Sequence, residues 1–218
     1  MTNEPKLVKG GLVVLDPKSG AVRRTIALQY NPDTITRTYQ VQGVGGEGGG
    51  ERAQPFRLKG PAIESIRVEA EIDATDALEQ PDQNANAVRF GVAPQLAALE
   101  TLINPTTAEL ETLNGLSKSG TLEILPPEAP LVLFVWSANR VVPVRVTEFS
   151  ITEEAFDPLL NPIRAKVSLG LRVMTTDDLG FDHRGAGVFL SYLRTRESLA
   201  AKTGAATLQT LGLNNLPV

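Results

Sequence analysis

The chain has 218 residues, a formal net charge of −4 and no cysteine. The lack of cysteine excludes disulfides, thiolate metal sites and cysteine nucleophiles, and so mild a charge argues against bulk attraction to nucleic acid. Residues 1–6 are polar, and no apolar run approaches the roughly 20 residues that a bilayer-spanning helix needs. We therefore expect a cytoplasmic protein without direct membrane insertion.

The first part of the chain predicts short strands separated by turns. Residues 7–15 and 22–30 are rich in strand-forming side chains, and residues 16–20 between them contain the turn formers proline and glycine. Residues 35–41 predict a further strand. Residues 43–50 are mostly glycine, which loses much chain entropy on ordering, so no regular structure is expected there.

Residues 63–73 predict a strand with two different faces. One face carries Ile66, Val68, Ala70 and Ile72, and the other carries Arg67, Glu69 and Glu71. A strand of this kind is typical of a sheet that contacts the core on one side and water on the other.

The hydrophobic period then changes to that of a helix. Residues 94–103 predict a helix, because Pro94 suits a first helical turn and four apolar residues form one stripe. That stripe consists of Leu96, Leu99, Leu102 and Ile103. Further helical turns are expected over residues 110–113, whereas residues 80–86 predict a loop and residues 121–125 a strand.

Residues 131–174 predict three strands in close succession. Residues 131–136 form a continuous apolar run that is too short for an ordinary helix and rich in strand formers. The alternation over residues 142–151 changes phase near Glu148, which predicts a β-bulge. Residues 163–173 alternate most regularly, and their polar face includes Arg164, Lys166 and Arg172.

These elements predict a mainly β protein with additional helices. Residues 175–187 predict a polar loop and residues 188–202 a C-terminal helix. With about seven or eight strands, a central helical insertion and this C-terminal helix, the pattern favours a β-sandwich or barrel. We divide the chain into a β domain, residues 1–176, and a C-terminal helix and tail, residues 177–218.

Two patterns in the sequence suggest either a phosphate-binding loop or a metal-binding site as alternatives. The glycine run 43–50 is followed by Glu51 rather than by the lysine and Ser or Thr of a phosphate loop. Asp177, Asp178, Asp182 and His183 are a possible cation cluster, but their spacing matches no calcium loop, and Asp-rich turns before a helix commonly cap it. We predict neither a metal nor a cofactor.

Catalytic chemistry has no clear place in the sequence. Glu153 and Glu154 are adjacent on a predicted strand, so they point to opposite faces and cannot act on one substrate. The single histidine and the absence of a Gly-x-Ser-x-Gly motif argue against a serine hydrolase. We predict no catalytic residues.

The charged strand faces are the remaining candidates for a functional surface. The residues concerned are Arg67, Glu69, Glu71, Arg164, Lys166 and Arg172. Their charges would be complementary if the two strands were neighbours. One interpretation is a solvated outer face, and the other is a water-filled lumen or a contact between subunits.

Several stretches in fixed order resemble the baseplate tube proteins of contractile injection systems, which are phage-tail-like particles that drive a rigid tube through a membrane. The stretches are residues 29–32 (Gln-Tyr-Asn-Pro), 91–100, 131–136, 144–157 and 161–169. The resemblance covers roughly residues 5–176.

The resemblance implies a tail-tube-like sandwich or barrel that acts as a tube initiator. It implies a homohexameric ring between the spike-bearing hub and the inner tube, with both of these and the adjacent baseplate subunits as partners. Many members append a LysM module, and residues 192–217 echo one without its usual Gly-Asp-Thr-Leu start. We interpret this segment as a truncated, LysM-related docking tail. The alternative function is a monomeric glycan- or ligand-binding β-sandwich.

Overall fold

The computed structural model describes residues 7–16, 19–43, 57–118, 129–204 and 206–216. The strands are β1 (Gly11–Leu15), β2 (Val22–Ala27), β3 (Ile35–Gln40), β4 (Ile63–Asp73), β5 (Leu131–Ser137), β6 (Arg140–Phe156) and β7 (Pro162–Val173). They form one seven-stranded sheet in the order β2-β1-β5-β6-β7-β4-β3, and all its pairs are antiparallel.

Helices lie between β4 and β5 and after β7. They are α1 (Thr75–Leu78), α2 (Ala85–Phe90), α3 (Ala93–Glu100), α4 (Thr107–Lys118), α5 (Thr176–Leu179) and α6 (Arg184–Ala200), followed by a 3-10 turn at Leu208–Leu211. The predicted class, mainly β with a central helical insertion and a C-terminal helix, is confirmed. Within the described ranges, no helix is both long and apolar enough to cross a membrane.

The sheet is rolled rather than flat. Four strands separate β2 from β4 in the sheet, yet Gln29, just after β2, bonds to the backbone at the end of β4. Its Nε2 donates to the Asp73 carbonyl at 2.7 Å, and its Oε1 accepts from the Asp73 amide at 2.9 Å. The terminal strand β2 therefore approaches β4, the neighbour of the other terminal strand, with a gap between them.

The larger of two hydrophobic clusters fills the interior of the rolled sheet. The inward side chains of β4 and β7 alternate as predicted, and Val68, Val167 and Leu169 are almost fully buried. Residues Val92, Leu96 and Leu99 around α3, and Phe189 and Tyr192 of α6, belong to the same cluster of buried side chains. The helices thus complete the core that the open sheet leaves exposed.

The long hairpin of β6 and β7 contains the predicted bulge. The pairing shifts register between Val146, which lies opposite Leu171, and Glu148, which lies opposite Gly170. After the shift, Phe149 and Ile151 take over the partly buried positions. The change of phase in the apolar alternation near Glu148 therefore corresponds to a β-bulge, as expected for an inserted residue.

Some predicted boundaries were wrong. Helix α2 begins inside the stretch predicted as loop, α3 ends at Glu100, and α6 begins at Arg184 rather than at residue 188. His183 explains the early start of α6, because its Nδ1 accepts the Gly185 amide at 3.0 Å and caps the helix. The predictions for residues 44–50 and 121–125 lie outside the described residues.

Candidate subunit-contact surfaces

The two predicted charged faces lie side by side. Strands β4 and β7 are neighbours, with Glu71 opposite Lys166 and Asp73 opposite Arg164. Arg67, Glu69, Glu71 and Lys166 are exposed, and Arg164 is half-buried. The condition that the sequence left open, adjacency of the two strands, is therefore met.

Two β7 cations pair with carboxylates on both neighbouring strands. Arg164 Nε lies 2.7 Å from Asp73 Oδ2 and 3.8 Å from Glu71 Oε1, both on β4. Lys166 Nζ lies 3.0 Å from Glu154 Oε1 on β6. Charged side chains thus run across β4, β7 and β6 on the outward face of the sheet.

A further ion pair spans β7 without a β7 side chain. Arg67 Nη2 of β4 lies 2.6 Å from Glu148 Oε2 of β6, on either side of Gly170. A Cβ at Gly170 would lie 2.8 Å from the Glu148 Cβ, so a side chain there would crowd the glutamate. Both charged groups are largely exposed, so the pair contributes little to stability in isolation.

The remaining two candidates differ from this pattern. Arg172 Nη2 bonds to Asp178 Oδ1 of α5 at 2.7 Å, which ties the end of β7 to the following helix. Glu69 is exposed and has no ion pair among the described residues. It lines, with Glu71 and Lys166, an open polar depression of about 600 Å³ on the outward face. The structure thus places five of the six candidates in ion pairs and leaves Glu69 open to a partner.

Asp73 gives this surface a testable pH dependence. Hydrogen bonds from Thr75, together with the bond and charge of Arg164, lower the pKa of Asp73 below its ordinary value. The ionised form therefore stabilises the fold above the unfolded pKa of about 3.9, and this contribution is lost as the pH falls through the folded pKa. We expect the stability deficit of Asp73→Asn to shrink between about pH 5 and pH 2 in urea unfolding. A deficit that is constant with pH would contradict this linkage.

A buried polar cluster was missed by the sequence analysis. Glu64, only 2% exposed, accepts bonds from Arg37 Nε at 2.7 Å and Tyr39 OH at 2.8 Å, both on β3. Tyr192 OH of α6 lies 3.3 Å from its Oε2, and Arg196 Nη1 of the same helix lies 3.8 Å away. This Glu64 cluster joins the edge strand β3 to the C-terminal helix.

The burial of the Glu64 cluster changes the pKa of one of its members. Burial first, and the Glu64 carboxylate second, raise the pKa of Tyr192, since both disfavour a phenolate there. The sequence did contain an indication of the cluster: Glu64 has the same parity as Ile66 and Val68, so alternation places it on the inward face. A carboxylate at an inward position needs a cationic or hydrogen-bonding partner.

Asp178 and His183 of the possible cation cluster serve as helix caps. Thr175 and Asp178 form a reciprocal capping box at α5, and His183 caps α6. This agrees with the capping interpretation that the sequence favoured. In the part of the chain that the structure describes, no group of three or more His, Asp or Glu side chains is placed to hold a metal ion.

Two strand edges of the sheet have no partner strand in the described structure. β2 and β3 are the terminal strands, and most of their residues are exposed. Unpaired edges present backbone donors and acceptors that another chain can satisfy. Together with the charged outward face, they are the candidate contact surfaces.

Comparison with known proteins decides the family. The model of the family described as "contractile injection system tube protein" matches residues 13–181, which is most of the chain. The chain belongs to this family. Membership makes it a structural component of a tail-like tube system, as the resemblance implied, and supports the prediction of a non-enzymatic role.

The other comparisons add less to the description of this tube-family protein. No curated protein matches the chain. Among solved structures, it is similar to a chain from the "tail of empty GTA particle computed with helical refinement, C6 symmetry". The identity is 15%, the TM-score is 0.30, and the match covers 75% of this chain and 90% of the other. The domain division and the LysM-related tail remain predictions.

Proposed function

We propose that this tube-family protein is the tube initiator, a ring of identical subunits that joins the spike hub to the inner tube. The observation that carries the proposal is the pair of exposed terminal strands, β2 and β3, on a rolled sheet. Identical subunits that associate head to tail use both edges and close into a ring when the rotation between them permits. Six subunits is the number that the resemblance implies.

The ring would template the first tube layer. A preformed rim of subunits removes the entropic cost of bringing free subunits together, so tube growth starts there rather than in solution. Pairing along strand edges supplies backbone hydrogen bonds, and the charged outward face of β4, β6 and β7 supplies either the water-filled lumen or complementarity with a neighbour. The proposed partners are the protein itself, the inner-tube protein, the spike hub and adjacent baseplate subunits. Residues 177–218 would act as the docking tail, and assembly would take place in the cytoplasm.

The test combines solution mass with tube nucleation. Light scattering coupled to size exclusion should give the mass of a closed ring, alone or with hub and tube subunits, and electron microscopy should show the ring at one end of each tube. Addition of the ring should shorten the lag of tube growth at fixed tube-protein concentration. A compact monomer that ignores hub and tube subunits would refute the proposal and favour the monomeric glycan-binding alternative.

A charged substitution on the edge strand should weaken the ring. Val22 begins β2 and is 63% exposed, so Val22→Lys costs the isolated fold little but places a charge where the next subunit would pair. We expect at least a tenfold rise in the concentration needed for ring formation, measured by light scattering. Leu199→Lys, at an exposed apolar site on α6, is the matched control and should leave assembly unchanged.

A further inference from the structure

The turn between β6 and β7 presents apolar side chains to solvent. Leu159 is 80% exposed, Leu160 is 79% exposed and Phe156 is 50% exposed. We call these three residues the hairpin tip. Clustered exposed apolar side chains at the end of a projecting hairpin are typical of a protein contact.

The hairpin tip is held in a defined conformation. Asp157 Oδ1 accepts the amides of Leu159 and Asn161 at 2.8 Å each, and its Oδ2 accepts Asn161 Nδ2 at 2.8 Å. The Leu160 amide donates to the Asp157 carbonyl at 2.9 Å, and Leu160 adopts a φ of 65°. A left-handed leucine costs free energy that these bonds offset. A rigid apolar projection loses little entropy when it binds.

An apolar groove lies in the gap between β2 and β4. It has a volume of about 450 Å³ and opens between β2, β4 and α3. Its apolar lining includes Ile26, Leu28, Ile72, Ala87 and Leu99. The volume lies in the range that accommodates several apolar side chains.

The groove and the hairpin tip are separate surfaces near the same end of the sheet. The base of the hairpin packs at the junction of α2 and α3, where the Val92 amide donates to the Pro162 carbonyl at 2.8 Å. Pro94 and Gln95 of α3 line the groove. No residue of the tip is among those that line the groove of its own chain. Complementary surfaces at different positions on one subunit produce head-to-tail contacts, which is the geometry of a ring.

The charges around the two surfaces are complementary. Glu153 is exposed and has no ion pair in the described ranges, and Asp157 adds a second carboxylate at the tip. Arg24 lies on the groove and bonds through Nη1 to the neutral Thr101 hydroxyl at 2.9 Å, with no acidic partner within those ranges. Asp73 also lines the groove, but its carboxylate is paired with an arginine of its own sheet, so Arg24 is the charged group there with which a tip carboxylate of a second copy can pair.

We infer that the hairpin tip of one copy inserts into the β2–β4 groove of the next copy, with the leucines buried and the tip carboxylates near Arg24. The inference rests on the proposed ring and specifies its subunit contact. The occupant of the groove is then a second copy of this chain rather than a small ligand.

Disulfide trapping tests the contact directly, because the chain contains no cysteine of its own. Leu160→Cys combined with Gln95→Cys places one thiol on the tip and one on the groove. Mild oxidation should yield a ladder of covalent oligomers that ends at the ring on non-reducing gels. Each single variant can give no more than a dimer. Leu160→Cys with Asn139→Cys, in the turn at the opposite end of β6, is the matched control and should give no ladder.

A second variant separates this contact from the proposed function. Leu159→Asp should raise the concentration needed for ring formation at least tenfold, while Leu199→Asp should not. If the Leu159→Asp protein forms rings at the wild-type concentration and the tip–groove ladder is absent, the contact is wrong and the ring stands. If the wild-type chain never self-associates, even beside hub and tube subunits, both proposals fail.

Discussion

Glu64→Gln is expected to lower the free energy of unfolding by about 3 kcal/mol, because removing one partner of a buried ion pair leaves the other charge uncompensated. The carboxylate is bonded to Arg37 at 2.7 Å and to Tyr39 at 2.8 Å, and Arg196 lies 3.8 Å away. A neutral amide cannot balance two guanidinium groups, and its NH₂ would face donors. Urea unfolding followed by the fluorescence of Trp136, the single tryptophan, measures the change.

The same strand provides a matched control for the Glu64 cluster. Glu69→Gln makes the identical chemical change on the outward face of β4, where no ion pair is lost among the described residues. We expect an effect within about 0.5 kcal/mol of zero for this control. Equal effects at the two positions would show that burial and pairing do not determine the stability of β4. Tyr192→Phe combined with Glu64→Gln should be less destabilising than the sum of the single variants, since both disrupt one network.

Gly91→Ala is expected to destabilise the fold by about 3 kcal/mol or more, through backbone strain and a steric clash. Gly91 has φ 57° and ψ −131°, a conformation that residues with a side chain rarely adopt. Its added Cβ would lie 2.0 Å from the Pro162 carbonyl oxygen. The chain must then move away from β7, which also weakens the 2.8 Å bond from the Val92 amide to that carbonyl. Thermal and urea unfolding both measure the loss.

Gly187→Ala is the control for this substitution. Gly187 lies in α6, and an added Cβ there would meet no atom within 4 Å. Because alanine is the better helix former by about 1 kcal/mol, the control should stabilise the protein slightly. Opposite signs at the two glycines are therefore expected. A stabilising Gly91→Ala would mean that the junction between α2, α3 and the base of the β6–β7 hairpin is not held as described.

Parts of the candidate surface could be predicted from the sequence because they follow from strand parity. Alternation alone assigned Arg67 and Lys166 to outward faces, and the phase change located the bulge near Glu148. The Glu64 cluster escaped that reasoning, because its partners come from β3 and from α6, more than a hundred residues later in the chain. Sequence spacing carries no information about which distant element covers an inward carboxylate.

By itself, the sequence determined the class of the protein and the two-faced character of its long strands, since side chains on a strand alternate whatever the strand pairs with. The tertiary structure alone decided that β4 and β7 are neighbours, that β2 returns to the end of β4 and leaves a groove, and that α6 meets β3 through Glu64. Those features depend on how the sheet rolls and on which far-apart residues meet across the core, and such long-range contacts leave no local periodicity to read.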